Sequence, residues 1–334
     1  MKVEFNREMR SIMATEGPAE RGSAMAAGHN VADDLPSLPE RSSQVLRLAD
    51  GRQIGFAEYG DPEGQPVLAI HGTPGSRLMF ALTDATARQR RLRIVAPERP
   101  GYGLSDFRRQ TTLAEAASDL EQCANALGLS RFALIGVSGG GPYAVAAAAA
   151  MPRRIALLAL VNPIGPIAEC DRRIRISKGH RLIFSRLGRS NAACTAFFWP
   201  LRRIVHSAPG LAYRLLQLRV PASDRTVLAR DEVRASLQAA LREGLRPGID
   251  GARQDLRLYC ANWQLSLRDI DVPAILWQGS DDAIVPPGAA YDLAETLPNC
   301  RLDVIQGGGH YWIFSGFERV LDAARAALSG PAPR

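Results

Sequence analysis

The sequence predicts an α/β chain: a mostly parallel central sheet with helices on both faces, entered through an antiparallel hairpin and interrupted once by helices. Three observations carry this. Short apolar runs of strand length alternate with longer amphipathic or alanine-rich runs over most of the chain, which is the pattern of βα units. The first runs, in "QVLRLADGRQIGFAEYG", instead alternate residue by residue on either side of Asp50-Gly51, a hairpin signature. Between about Gly165 and Asp271 the βα rhythm stops and the periodicity becomes helical.

Taken in order, residues 1–42 are polar, rich in Ala, Gly, Ser and Pro, and without lasting periodicity; they read as a flexible arm. The hairpin opens the core, and "PVLAIHG" follows as a strand buried on both faces. "RLRIVAPE" is a strand, "LAEAASDLEQCANAL" a helix, "RFALIGV" a strand, "YAVAAAAAMP" a helix and "IALLALVNP" a strand. After the break come "PAILWQG" (strand), "AAYDLAETLP" (helix), "RLDVIQG" (strand) and "FERVLDAARAAL" (helix). The expected divisions are therefore an arm at 1–42, a core at 43–164 and 272–330, and a helical cap at 165–271. The cap segment is too long for a structureless loop.

Composition excludes several classes. No apolar run reaches the length of a membrane span, and the N-terminal "SIMATEGPAERGSAMAAG" is no signal-peptide core. The five cysteines are scattered without ligand spacing, so reduced thiols, a cytoplasmic location and no metal site are expected. The net charge of +7 comes almost wholly from arginine. It is densest from Arg172 to Arg203 and otherwise dispersed, which argues for solvated faces over a nucleic-acid groove and leaves attraction to an anionic partner or membrane surface as the alternative.

One hydroxyl stands out. Gly136-Val137-Ser138-Gly139-Gly140 fits G-x-S-x-G with a buried strand before it and a helix after it. A strand-to-helix turn this sharp strains the serine backbone and needs neighbours without a Cβ. It also lifts the hydroxyl above the sheet, near the first helical amides. Such a serine needs a base and an orienting acid. Of five histidines, His310 closes "VIQGGGHYW" just past a strand and is the favoured base; His71, in "HGTPGS", is the alternative, read instead as shaping its loop. For the acid, "ILWQGSDDAIVPP" offers Asp281 and Asp282 after another strand, with Asp282 better spaced to turn inward. The strand ending at Asn162-Pro163 carries no acid.

The order Ser138, Asp282, His310, together with "HGTPGSR" and "ERPGYGLSD", resembles the α/β-hydrolase fold superfamily, and more narrowly its capped serine hydrolases. The likeness spans about Gln44 to Leu328. It implies an oxyanion hole made by the amides of Thr73 and Gly139, a carboxylesterase-like acyl transfer to water, and no metal or organic cofactor. Glu98 stands where the family more often has Asp.

Expected pocket residues are Tyr143, Phe184, Phe198, Trp199, Trp263, Tyr311 and Trp312. The expected partner is a small to medium apolar ester or lactone, with no nucleic acid; a homo-oligomer is open because the arm is long enough to exchange between subunits. Two rival readings stand: C–C or amide hydrolysis or a cofactor-free lyase reaction on the same triad, and a non-catalytic ligand-binding protein.

Overall fold

The computed structural model describes residues 40–167, 188, 190–285 and 287–330. Residues 1–39 of the expected arm lie outside these, as do Cys170, His180 and Phe184. Glu40–Ser42, the last three residues of that expected arm, form a single 3-10 turn docked on the core. Arg41 pairs with Glu58 at 2.7 Å, and the Ser42 carbonyl accepts from Arg77 Nε at 2.6 Å.

The sheet has eight strands: β1 (Gln44–Arg47), β2 (Gln53–Gly60), β3 (Gln65–Ile70), β4 (Leu92–Pro97), β5 (Phe132–Val137), β6 (Ile155–Val161), β7 (Ala274–Gly279) and β8 (Cys300–Ile305). Their order is β1-β2-β4-β3-β5-β6-β7-β8. β1 and β2 pair antiparallel, as does β2 with β4, and every later pair is parallel. β5 and β6 are buried along their whole length, which explains their unbroken apolar sequence: helices cover both faces. Edge strand β8 is only half-buried and carries Arg301 and Asp303.

Core helices are α1 (Asp84–Gln89), α2 (Leu113–Ala126) and α3 (Gly141–Ala150). α1 and the 3-10 stretch Arg77–Thr83 before it have no clear periodicity in the sequence. α2 starts where Thr112 accepts from the Glu115 amide at 3.3 Å, an N-cap. The alanines of α3 let it lie close to the sheet: a Cβ on Gly136 would come within 2.7 Å of the Ala144 Cβ. Among the described residues of the insertion between β6 and β7 are helices α4 (Asn191–Ser207), α5 (Pro209–Gln217), α6 (Ala222–Leu228), α7 (Asp231–Gly244) and α8 (Asp250–Cys260). α9 (Pro287–Thr296) and α10 (Ile313–Ser329) complete the chain.

Alternate strand residues feed two cores. Leu68, Leu134 and Leu158 pack on one face with α2, α3 and α8; Val67, Ile135 and Ala159 pack on the other with α10. The chain leaves β3 toward β4 on one side and returns to β5 on the other. The crevice between the C-terminal ends of β3 and β5 is thus a topological switch point, where open parallel sheets bind ligands.

Candidate active site

Ser138 stands directly after β5, at that crevice. Its φ is +53°, a left-handed conformation costly for a residue with a Cβ, and its side chain is nearly buried. The glycine after it is required by crowding. A Cβ on Gly139 would lie 2.3 Å from Thr73 Oγ1 and 2.5 Å from the Tyr259 hydroxyl.

His310 Nε2 lies 3.0 Å from Ser138 Oγ, and His310 Nδ1 lies 2.8 Å from Asp282 Oδ2. The other carboxylate oxygen of Asp282 accepts the amides of Ile284 and Val285 at 2.8 and 2.9 Å, so the acid is locked in its own turn. Asp281 points to solvent and accepts from Ser280 Oγ. Burial opposes charge on both partners, but their proximity outweighs it: Asp282 is held below the usual carboxylate range, and His310 is raised above the ordinary histidine value of 6.5.

Two residues fix the histidine loop, and neither is apparent from sequence. Asn162, in the position read as an empty acid site at the end of β6, donates to the carbonyls of His310 (2.8 Å) and Gly309 (3.3 Å). Its own oxygen accepts from Gly279 N and Trp312 Nε1. Asp224, fully buried on α6 of the insertion, accepts the amides of His310 and Tyr311 at 2.8 and 2.7 Å.

The opposite wall is the loop His71–Gly75, where the Thr73–Pro74 bond is cis. His71 Nδ1 donates to Gly72 O at 2.9 Å, and its Nε2 accepts from Arg99 N at 3.3 Å. Burial and the Arg99 charge push its pKa well below 6.5, so it is neutral. Of its two sequence readings, the loop-shaping one matches these contacts. Arg99 donates to Gly72 O (3.2 Å) and to the His71 carbonyl. Because the peptide is planar and trans, gripping Gly72 O aims the Thr73 N–H the other way.

Arg99 is neutralised by Asp255 of α8 at 2.7 Å, both nearly fully buried. Asp255 also accepts from Tyr102 (2.6 Å) and Tyr143, and its Oδ2 lies 2.6 Å from Thr73 Oγ1, whose single proton is shared between this carboxylate and the Tyr259 oxygen. Arg99 lies over the rings of Tyr102 and Tyr143, 5.0 and 4.8 Å from their centroids. Tyr259, one helical turn beyond Asp255, sits 2.6 Å from Thr73 Oγ1 and donates to Gly139 O at 2.8 Å. One hydroxyl therefore ties residue 73 to residue 139. Burial first, and the Asp255 charge second, raise all three phenols, so they stay neutral donors. The only sequence trace of the Asp255 and Tyr259 part of this network is an Asp and a Tyr four apart on one helix face, "DLRLY", which any amphipathic helix also shows.

The expected pocket residues divide. Tyr143 is buried with its hydroxyl on Asp255. Tyr311 packs edge-on against the His310 ring, centroids 5.4 Å apart. Trp312 is buried and lines a cavity of about 670 Å³ shared with Asp224, Gly309 and Arg319, which Ser138 does not line. Phe198 and Trp263 are core residues, and Trp199 faces solvent with Arg203 over its ring. Phe184 lies outside the described residues. Cys123 and Cys300 are free thiols. Among the described residues no helix is long and apolar enough to cross a membrane, and no His, Cys, Asp and Glu group could hold a metal.

A parallel sheet entered by an antiparallel hairpin, with a serine at a strained strand-to-helix turn, defines a hydrolase-type α/β protein. The chain belongs to the alpha/beta hydrolase fold family, whose model matches residues 65–317. It is 24% identical over 296 residues to a 2-hydroxymuconate semialdehyde hydrolase of Pseudomonas putida, covering 85% of this chain and 94% of that one. It is 27% identical over 279 residues to a putative carbamate hydrolase, RutD, of Caulobacter sp. strain K31, covering 82% and 95%. Among solved structures, an alpha/beta hydrolase fold protein from Nakamurella multipartita aligns with a TM-score of 0.64 at 22% identity, over 85% of this chain and 99% of that one. That likeness concerns the fold.

Proposed function

We infer that the chain is a serine hydrolase that cleaves a carboxylic ester or lactone of a small to medium apolar substrate through an acyl-enzyme on Ser138. The observation that carries this reading is the unbroken relay from Ser138 Oγ through His310 to Asp282, at 3.0 and 2.8 Å. In this mechanism Ser138 Oγ attacks the carbonyl carbon while its proton passes to His310 Nε2. Asp282 holds the Nδ1–H tautomer and stabilises the imidazolium. The Thr73 and Gly139 amides bind the developing oxyanion. His310 then protonates the leaving group, and water attacks the acyl-enzyme by the reverse route. No step needs a cofactor.

A second reading turns the same three residues to C–C, amide or carbamate cleavage; the likeness to a 2-hydroxymuconate semialdehyde hydrolase and to a putative carbamate hydrolase favours considering it. Hydrolysis of a p-nitrophenyl ester series by the unmodified protein and by Ser138→Ala distinguishes them. The ester reading expects turnover that falls by about four orders of magnitude or more in the variant. Negligible ester turnover beside fast cleavage of a β-diketone, peptide or carbamate overturns it in favour of the second.

A further inference from the structure

The insertion carries a surface that catalysis does not explain. Residues 172–223 hold eleven of the chain's 41 Lys and Arg residues and none of its 34 Asp and Glu residues. The rest of the chain therefore has more acids than bases. Within that span, α4 and α5 turn apolar side chains outward. Five of the nine exposed large apolar residues among the described ones, Phe197, Trp199, Leu211, Leu215 and Leu218, fall between positions 197 and 218, with Trp199 54% and Leu218 78% exposed.

The pattern is helical. Trp199 and Arg203 share the outer stripe of α4 while Cys194, Phe198 and Val205 face inward. Leu211, Arg214, Leu215 and Leu218 follow i, i+3, i+4, i+7 along α5 and just past it, while Tyr213 is buried. Arg214 and Arg219 are exposed and make no ion pair among the described residues. An outer helix face of Leu and Arg inverts the usual rule that the exposed side is polar of both signs.

We propose that the α4–α5 face is a docking surface for an anionic lipid bilayer, with Trp199 and the three leucines entering the headgroup region and the arginines meeting lipid phosphates. A lipid surface rewards both halves of the pattern. Nucleic acid rewards the arginines but has nothing for exposed leucines. A second copy of the chain is disfavoured, because a two-fold interface would set the exposed Arg203, Arg214 and Arg219 against their own copies. The inference goes beyond the hydrolase reading, since membrane binding is measured without turnover.

The test uses the full chain and vesicles of a phosphatidylcholine–phosphatidylglycerol mixture or of phosphatidylcholine alone. Trp263, Trp277 and Trp312 are buried, so Trp199 is the surface reporter. The expected result is co-sedimentation with the mixed vesicles only, weakened by raised salt. A blue shift of Trp199 emission and its quenching by doxyl-labelled lipid should accompany it. Trp199→Phe should lose the optical signal and keep binding. Leu211→Ser, Leu215→Ser and Leu218→Ser combined should weaken partition by about tenfold or more. Arg214→Gln with Arg219→Gln should do so by about tenfold. Quenching in the unmutated protein stands even if a variant misfolds. No phosphatidylglycerol-dependent binding overturns the proposal. So does tight duplex-DNA binding with vesicle binding untouched by the leucine changes, or a lipid-free dimer in which Trp199 is already blue-shifted.

Discussion

Ser138 holds a left-handed backbone that only glycine adopts without strain, so its neighbourhood is built to tolerate one costly residue. Ser138→Gly and Ser138→Ala both remove the proposed nucleophile, but only glycine relieves the backbone. Thermal unfolding should therefore show Ser138→Gly the more stable of the two by about 1 kcal/mol. Equal stability would mean that the turn is unstrained. His310 makes a second test at this scale. In the proposed mechanism it acts as a base only when neutral, and its pKa is raised above 6.5 chiefly because Asp282 outweighs burial. Activity should accordingly rise with pH through a midpoint above 6.5. Asp282→Asn removes the cause of the rise, so the midpoint should move down while the plateau rate falls roughly ten-thousandfold. A pH–rate profile of each protein checks both the direction and the loss.

At the scale of elements, β3, β5, β7 and β8 each deliver one wall of the site, and the insertion reaches the site from two sides. Asp224 on α6 holds the histidine loop by two amides, and Tyr259 on α8 bridges Thr73 to Gly139. Tyr259→Phe keeps the ring and deletes the bridge. On the proposed mechanism kcat should fall by about tenfold to a hundredfold with KM nearly unchanged, since removing an oxyanion donor outright costs about a hundredfold or more. A loss confined to KM would instead make Tyr259 a substrate contact. The strands and the elbow are legible in the sequence because each is a local pattern: an apolar run, then glycines, then an alanine helix. Asn162, Asp224, Asp255 and Tyr259 are not legible. Their partners lie on segments distant in sequence, and nothing local distinguishes a buried Asp on an amphipathic helix from a solvated one. The same limit explains Trp199. An aromatic in a helical insertion suggests a pocket, but only the fold shows which face of α4 it occupies.

Over the whole molecule, the switch point between β3 and β5 decides where chemistry can occur, and the sequence order Ser138, Asp282, His310 follows from which strand ends surround it. The charge is divided as unevenly as the chemistry, with eleven basic residues and no acid in positions 172–223 of the insertion. The central claim is that Ser138 is a nucleophile activated by His310 and Asp282. Its most direct test is intact-mass analysis after exposure to a fluorophosphonate. The account predicts one adduct, located at Ser138, absent in Ser138→Ala, and forming faster as pH rises through a midpoint above 6.5. No adduct, or one that survives Ser138→Ala, would contradict it.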